Sequence, residues 1–177
     1  MTTPTRTVID VARWHGFHVG LAVADGYLRR GGTVASLKHE VEKIGRAKGS
    51  AVARKVIDCA NPKSESAAES WARAQIIEAS PPFTKMELQK ELHTGGHIHF
   101  ADIYLDEWLI IEVDCDHKYL GDYGDASEIV LAELKREKRL KNLGYEFLRV
   151  DWKMLRDNQF IPELNQFLTR PSRRPIP

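Results

Sequence analysis

Three acids crowd a stretch that is otherwise strongly apolar. They are Asp102, Glu112 and Asp114, in Phe100-Ala-Asp-Ile-Tyr-Leu-Asp-Glu-Trp-Leu-Ile-Ile-Glu-Val-Asp-Cys-Asp-His117. Trp108 to Val113 is almost continuously apolar, the pattern of a strand buried on both faces. Glu112 interrupts that run, and a carboxylate inside a sheet is costly unless something compensates it. If the chain turns back at Asp106-Glu107, Asp102 falls opposite Glu112, and cross-strand partners have Cβ atoms roughly 4.5–5.5 Å apart. Side chains alternate with period two, so Glu112 and Asp114 share a face. Three converging carboxylates repel one another without a cation. A hard divalent ion, Mg²⁺ or Mn²⁺, prefers such oxygen ligands.

The elements that must carry these acids follow from periodicity and punctuation. Lys85 to His93 reads as a strand leading into Thr94-Gly95-Gly96, and His97 to Leu105 as the next. Ser66-Ala-Ala-Glu69 has capping-box spacing and opens a helix to about Ala79, which Pro81-Pro82 ends. A polar loop from Cys115 to Asp125 contains His117, and a helix follows from Ala126 to Leu143 with Gly144 just past its end. On that helix Ile129, Ala132, Arg136, Leu140 and Leu143 form one face. Arg136 thus breaks an apolar, sheet-facing row and wants an anion there, either Glu112/Asp114 or a phosphate. Tyr145 to Val150 is a fourth strand, and short helices near Trp152–Arg156 and Pro162–Leu168 complete an α/β sandwich with a mixed sheet.

Residues 1–62 read as helical. Thr7 with Asp10 is the expected N-cap pair of a first helix that Gly16 ends, and further helices run from Phe17 to Arg30, from Thr33 or Ser36, and from Gly49 onward. Arg46, Lys48, Arg54 and Lys55 either meet a phosphate backbone or form a solvated face. Asn61-Pro62-Lys63 marks the expected boundary to a domain over 63–169, and 170–177 is an expected disordered tail.

Ser66-Ala-Ala-Glu69-Ser70-Trp-Ala-Arg73, the Gln89 strand, Ala101-Asp102, Ile110-Ile-Glu112-Val-Asp114 and Lys135-Arg136-Glu-Lys-Arg-Leu140-x-x-x-Gly144-Tyr-x-x-x-Arg149 resemble the PD-(D/E)XK, restriction-endonuclease-like superfamily. Within it they look like a branch of small actinobacterial proteins of unknown function related to very-short-patch-repair endonucleases. The segment from Thr5 to Arg13 and on through Asp25-Gly-Tyr-Leu28 is similar to what precedes the nuclease-like domain there. The resemblance implies a four-stranded mixed sheet flanked by helices after a small helical region, and a metal-dependent DNA endonuclease or nickase. Asp102 and Glu112 would ligate Mg²⁺ or Mn²⁺, joined by Asp114, with Glu69 the helix acid near the metal and His117 the downstream histidine. Where the superfamily signature places a lysine, this chain has Asp114, and Cys115 stands where the branch has glycine. An inactive nuclease-like DNA-binding module, or a regulatory protein associated with defence or toxin–antitoxin systems, therefore stays open.

Each of these residues also has a plainer reading. Glu69 is a helix-capping acid, Asp114 a strand end, His117 a loop histidine and Arg136 an ion-pair partner. His93, His97 and His99 alternate along a strand, without the fourth ligand a structural zinc site needs. Trp14, Trp71, Trp108 and Trp152 are expected in the core. The 177 residues carry a net charge of +1 with 29% charged and 42% hydrophobic residues, a globular composition that decides nothing about nucleic acid. No apolar run reaches the roughly 20 residues of a membrane span. Two lone cysteines, Cys59 and Cys115, point to a reduced, cytoplasmic setting. DNA is the expected partner, and a homodimer stays open.

Overall fold

The structure, a computed structural model, describes residues 2–94, 96–114 and 126–170, with backbone alone at 126–133. It divides into two compact units, Met1–Ser80 and Pro81–Pro177. His117, Cys115, the side chains of Ile129 and Ala132, and the tail beyond Arg170 lie outside the described residues. Among the described residues, no helix is long and apolar enough to cross a membrane.

The first unit is helical: α1 (Pro4–Arg29), α2 (Val34–Ile44), α3 (Ser50–Cys59) and α4 (Ala67–Ala79). The first helix starts earlier than the sequence suggested. Thr3, not Thr7, is the N-cap and accepts from the Arg6 N–H at 3.2 Å, while Pro4 supplies a preset φ at the first helical position. Asp10 instead binds Arg6 and Arg13, at 2.7 and 3.0 Å. The break expected at Gly16 is present, with φ 85° and ψ −173°. It folds the two halves of α1 against each other: a Cβ added at Gly20 would lie 2.8 Å from the Ala12 Cα, whereas eight residues of straight helix span about 12 Å. Ile9, Ala12, Leu21, Leu37, Val56 and Ala74 share one core with their neighbours.

The boundary expected at Pro62 falls inside this unit, because α4 is tied to α1. Arg73 on α4 donates to Asp25 on α1 at 2.6 Å and to the Cys59 carbonyl at 2.6 Å, and the Asn61 N–H donates to the other Asp25 oxygen at 2.8 Å. Asp25 is fully buried. An unpaired carboxylate there would cost several kcal/mol, so these bonds fix where α4 sits.

The second unit is α/β. Its strands are β1 (Met86–Thr94), β2 (His97–Leu105), β3 (Leu109–Asp114) and β4 (Glu146–Asp151), hydrogen-bonded in that order. The first three form an antiparallel meander, and β4 runs parallel to β3 after the crossover helix α5 (Ala126–Asn142). Short helices α6 (Trp152–Arg156) and α7 (Phe160–Leu168) follow. The mixed four-stranded sheet expected from the sequence is present. Leu109 to Val113 is buried throughout. The β2–β3 turn has positive φ at Asp106 and Glu107 (49° and 66°), the mirror-image geometry that suits strand twist, and is closed by the Trp108 N–H on the Leu105 carbonyl at 3.2 Å. Asp106 also anchors the start of β1, accepting from the Thr84 and Lys85 N–H groups at 2.7 and 2.8 Å. Gly144, at φ 93°, ends α5: the Tyr145 N–H reaches back to the Leu140 carbonyl at 3.2 Å.

Of the four tryptophans expected in the core, Trp108 is buried, but Trp14 is 60% exposed and Trp152 39% exposed.

Candidate functional site

The β2–β3 ladder pairs Ile103 with Ile111. Continued one step, that register sets Asp102 across from Glu112. The Asp102 side chain here takes up a strand hydrogen bond: its Oδ2 accepts the Val113 N–H at 2.9 Å. Its Oδ1 accepts from the Gln89 side-chain amide at 3.2 Å. Gln89 has φ 48° in the middle of β1. A left-handed backbone at a non-glycine residue costs of order 1–3 kcal/mol, and here it accompanies a bond to Asp102.

Glu112 is 8% exposed. Its Oε1 is hydrogen-bonded to the Arg136 guanidinium of α5. One turn farther along the same helix, Leu140 packs with Tyr104 and Ile110. Helix and strand therefore run side by side, Leu140 serving the apolar pair and Arg136 the acid two residues on. The anion that Arg136 was expected to need is Glu112.

Parallel pairing puts Arg149 of β4 beside Glu112 and Asp151 beside Asp114. The Arg149 guanidinium lies 3.8 Å from Glu112 Oε2 and 3.8 Å from Asp114 Oδ2, too far for hydrogen bonds but close enough for Coulombic attraction. It donates to Glu137 at 3.0 Å. Glu137 also binds Lys141 at 2.5 Å. The Lys141 hydrogen bond, aided by Arg149, holds the Glu137 carboxyl below the usual range against the opposing effect of burial. Asp114 is half exposed at the end of β3.

The acids of β3 are thus met by two arginines from α5 and β4, and Asp102 of β2 by the Val113 N–H and the Gln89 amide. Among the described residues, no three His, Cys, Asp or Glu side chains gather closely enough to hold a metal ion. Glu69 lies in the helical unit. It completes the expected cap of α4, its N–H donating to Ser66 Oγ at 3.0 Å and its Oε2 accepting from the Glu65 N–H at 2.8 Å. His99 is bonded to Thr94 at 2.9 Å and His93 to Glu91 at 2.8 Å. A cleft of about 700 Å³ at the other end of β3 is lined by Lys85, Glu87, Lys90, Tyr104, Trp108 and Tyr145. Its lysines are engaged by Glu87 and Glu107, and burial pushes the Tyr104 hydroxyl far up.

Sequence reasoning did not single out Gln89, Glu137 or Arg149 as site residues. Arg149 was the most accessible of them, since it interrupts the apolar positions Leu148 and Val150 on β4. Its partner, however, depends on the parallel register across α5.

No protein-family model, no curated protein and no solved structure matches the chain.

Proposed function

We propose that the α/β unit is a restriction-endonuclease-like, divalent-metal-dependent phosphodiesterase that cuts DNA in one or both strands. The observation that carries this reading is the facing of Asp102 and Glu112 on adjacent strands, with Asp114 two residues on and two arginines drawn to the acids. The donor set suits a hard cation. It consists of carboxylate oxygens alone, and the Arg136 and Arg149 guanidinium groups stand in for positive charge. Mg²⁺ commonly takes only one or two protein carboxylates and completes its shell with water and substrate phosphate. Asp102 and Glu112 would suffice. When bound, the ion supplies Lewis acidity at the phosphate and a more acidic attacking water.

The chain's own residues do the rest. Arg136 holds the Glu112 carboxylate in place and keeps its negative charge neutralised. Arg149, held at 3.8 Å from both acids, is the cation that exchanges carboxylate for a scissile phosphate, a geometry its planar fork suits. Asp114 offers no charge to the phosphate where a lysine would. It accepts the proton of the attacking water.

A nuclease-like binding module without turnover is the second reading. It is favoured by the arginine at each Glu112 oxygen and by Asp114 in the lysine position. Supercoiled plasmid incubated with Mg²⁺ or Mn²⁺ separates the two. The wild type relaxes or linearises it, and Asp102→Ala or Glu112→Ala lowers the rate by at least about a hundredfold. Cleavage unchanged in both variants overturns the first reading, and DNA binding without any cleavage establishes the second.

A further inference from the structure

The helical unit carries a surface feature that the sheet acids leave unexplained. Trp14 closes the first half of α1, just before the Gly16 break, with 60% of its surface exposed. A single exposed aromatic is ordinary. This one is held between cations: the Arg13 guanidinium lies 5.3 Å and the Lys48 ammonium 5.8 Å from the ring centroid. Arg13 is itself fixed, donating through Nε to the Lys48 carbonyl at 2.9 Å and through Nη1 to Asp10 at 3.0 Å. The α2–α3 link is pressed against α1 there. A Cβ at Gly49 would fall 2.6 Å from the Arg13 carbonyl oxygen, and Gly49 has φ 77°, so only glycine fits. Indole and cations are therefore presented on a rigid seam. Arg46, two residues before Lys48 in the same link, is exposed, as is Lys48.

Charge favours an anionic partner. Residues 1–80 hold 12 Lys/Arg against 8 Asp/Glu, a net charge of +4, whereas residues 81–177 hold 14 against 17, a net charge of −3. An aromatic plane beside ammonium and guanidinium groups matches a nucleotide: a base has a face to stack, and its phosphates take the cations. Base faces are covered inside a duplex and open in single strands. An anionic membrane surface also attracts cations, but one indole offers it little apolar area to bury.

We propose that Trp14, with Arg13, Lys48 and Arg46, is a binding site for single-stranded or unpaired nucleotides, one base stacking on the indole. The inference stands on the helical unit alone and does not depend on the nuclease reading.

Anisotropy of a short fluorescein-labelled oligothymidylate tests it, with full-length protein in EDTA so that no metal-dependent cleavage intervenes. The Trp14-dependent part of binding is larger for the oligothymidylate than for a duplex of equal length. Trp14→Ala weakens oligothymidylate binding about tenfold or more, Trp14→Phe retains most of the affinity, and Lys48→Gln flattens the salt dependence of log K by about 0.7. Oligothymidylate quenches tryptophan fluorescence in the wild type, and Trp14→Phe abolishes that quench while it still binds. Unchanged melting of Trp14→Ala shows that folding is intact. Equal binding by Trp14→Ala and wild type overturns the proposal. So does a Trp14→Ala loss larger for a duplex than for the oligothymidylate, or loss in Trp14→Ala of capture by phosphatidylserine vesicles with oligothymidylate binding retained.

Discussion

Each unit contains an arginine–carboxylate cluster, and the two are built differently. In the helical unit, Asp25 is sealed from solvent, and its partner Arg73 is 4% exposed in its side chain. Every contact there, to Asn61, Cys59 and Arg73, ties one helical segment to another. In the α/β unit, Glu112 shares two arginines, one of them 40% exposed and at 3.8 Å, and the cluster continues outward through Asp114 and Glu137. A closed pair tied by short bonds to neighbouring segments is a fastener. An open one, in which an arginine spreads over three acids, has charge to redistribute when a ligand arrives. The same pairing of arginine with carboxylate is thus sealed in one place and open in the other, and on the proposed reading the open one serves recognition.

The contrast is easiest to break by removing the arginines. Arg73→Met leaves Asp25 dry with the Asn61 N–H but without its counter-charge, and denaturant unfolding should show a loss of about 3–5 kcal/mol. Arg136→Met leaves Glu112 with Arg149 close by, so the expected loss is about 1–2 kcal/mol. Equal costs for the two would erase the distinction between fastener and site. Arg149→Gln goes further in the same direction. Its stability cost stays under about 1 kcal/mol because the pair is exposed and long, while plasmid cleavage falls roughly tenfold or more. A variant that loses stability yet cleaves normally would make Arg149 a second fastener.

How much of this the sequence disclosed depended on the range of the interaction. The hairpin and its turn were legible because alternation and a polar dipeptide are local signals. Glu112 stood out by breaking an apolar run, and Arg136 by breaking a helical face. The Asp102–Glu112 facing followed from turn position alone. The Asp25–Arg73 pair joins residues 48 apart, and nothing local separates Asp25 from a solvated acid. That pair also explains why the punctuation at Asn61-Pro62 did not divide the units. Trp14 misled for a related reason: an indole at the end of a helix follows the same pattern whether it faces the core or solvent. Gln89 could not be foreseen, since its positive φ contradicts its own propensity and appears beside Asp102 only once the strands are paired.

The smallest expected effect sharpens the comparison through pH. Glu137 is held below its ordinary range, chiefly by Lys141 and then by Arg149. A depressed folded-state pKa means that the carboxylate contributes stability above its unfolded value, and that the contribution fades as pH falls through the folded one. Glu137→Gln should therefore be less stable than wild type at neutral pH, and the gap should close as the pH drops below about 4. Thermal unfolding across that range measures it. Adding Arg149→Gln should shrink the neutral-pH gap without abolishing it, because Lys141 remains. A gap independent of pH would mean that Glu137 acts by packing alone. Arg149 would then draw no electrostatic hold from Glu137, leaving the open cluster smaller than its geometry indicates.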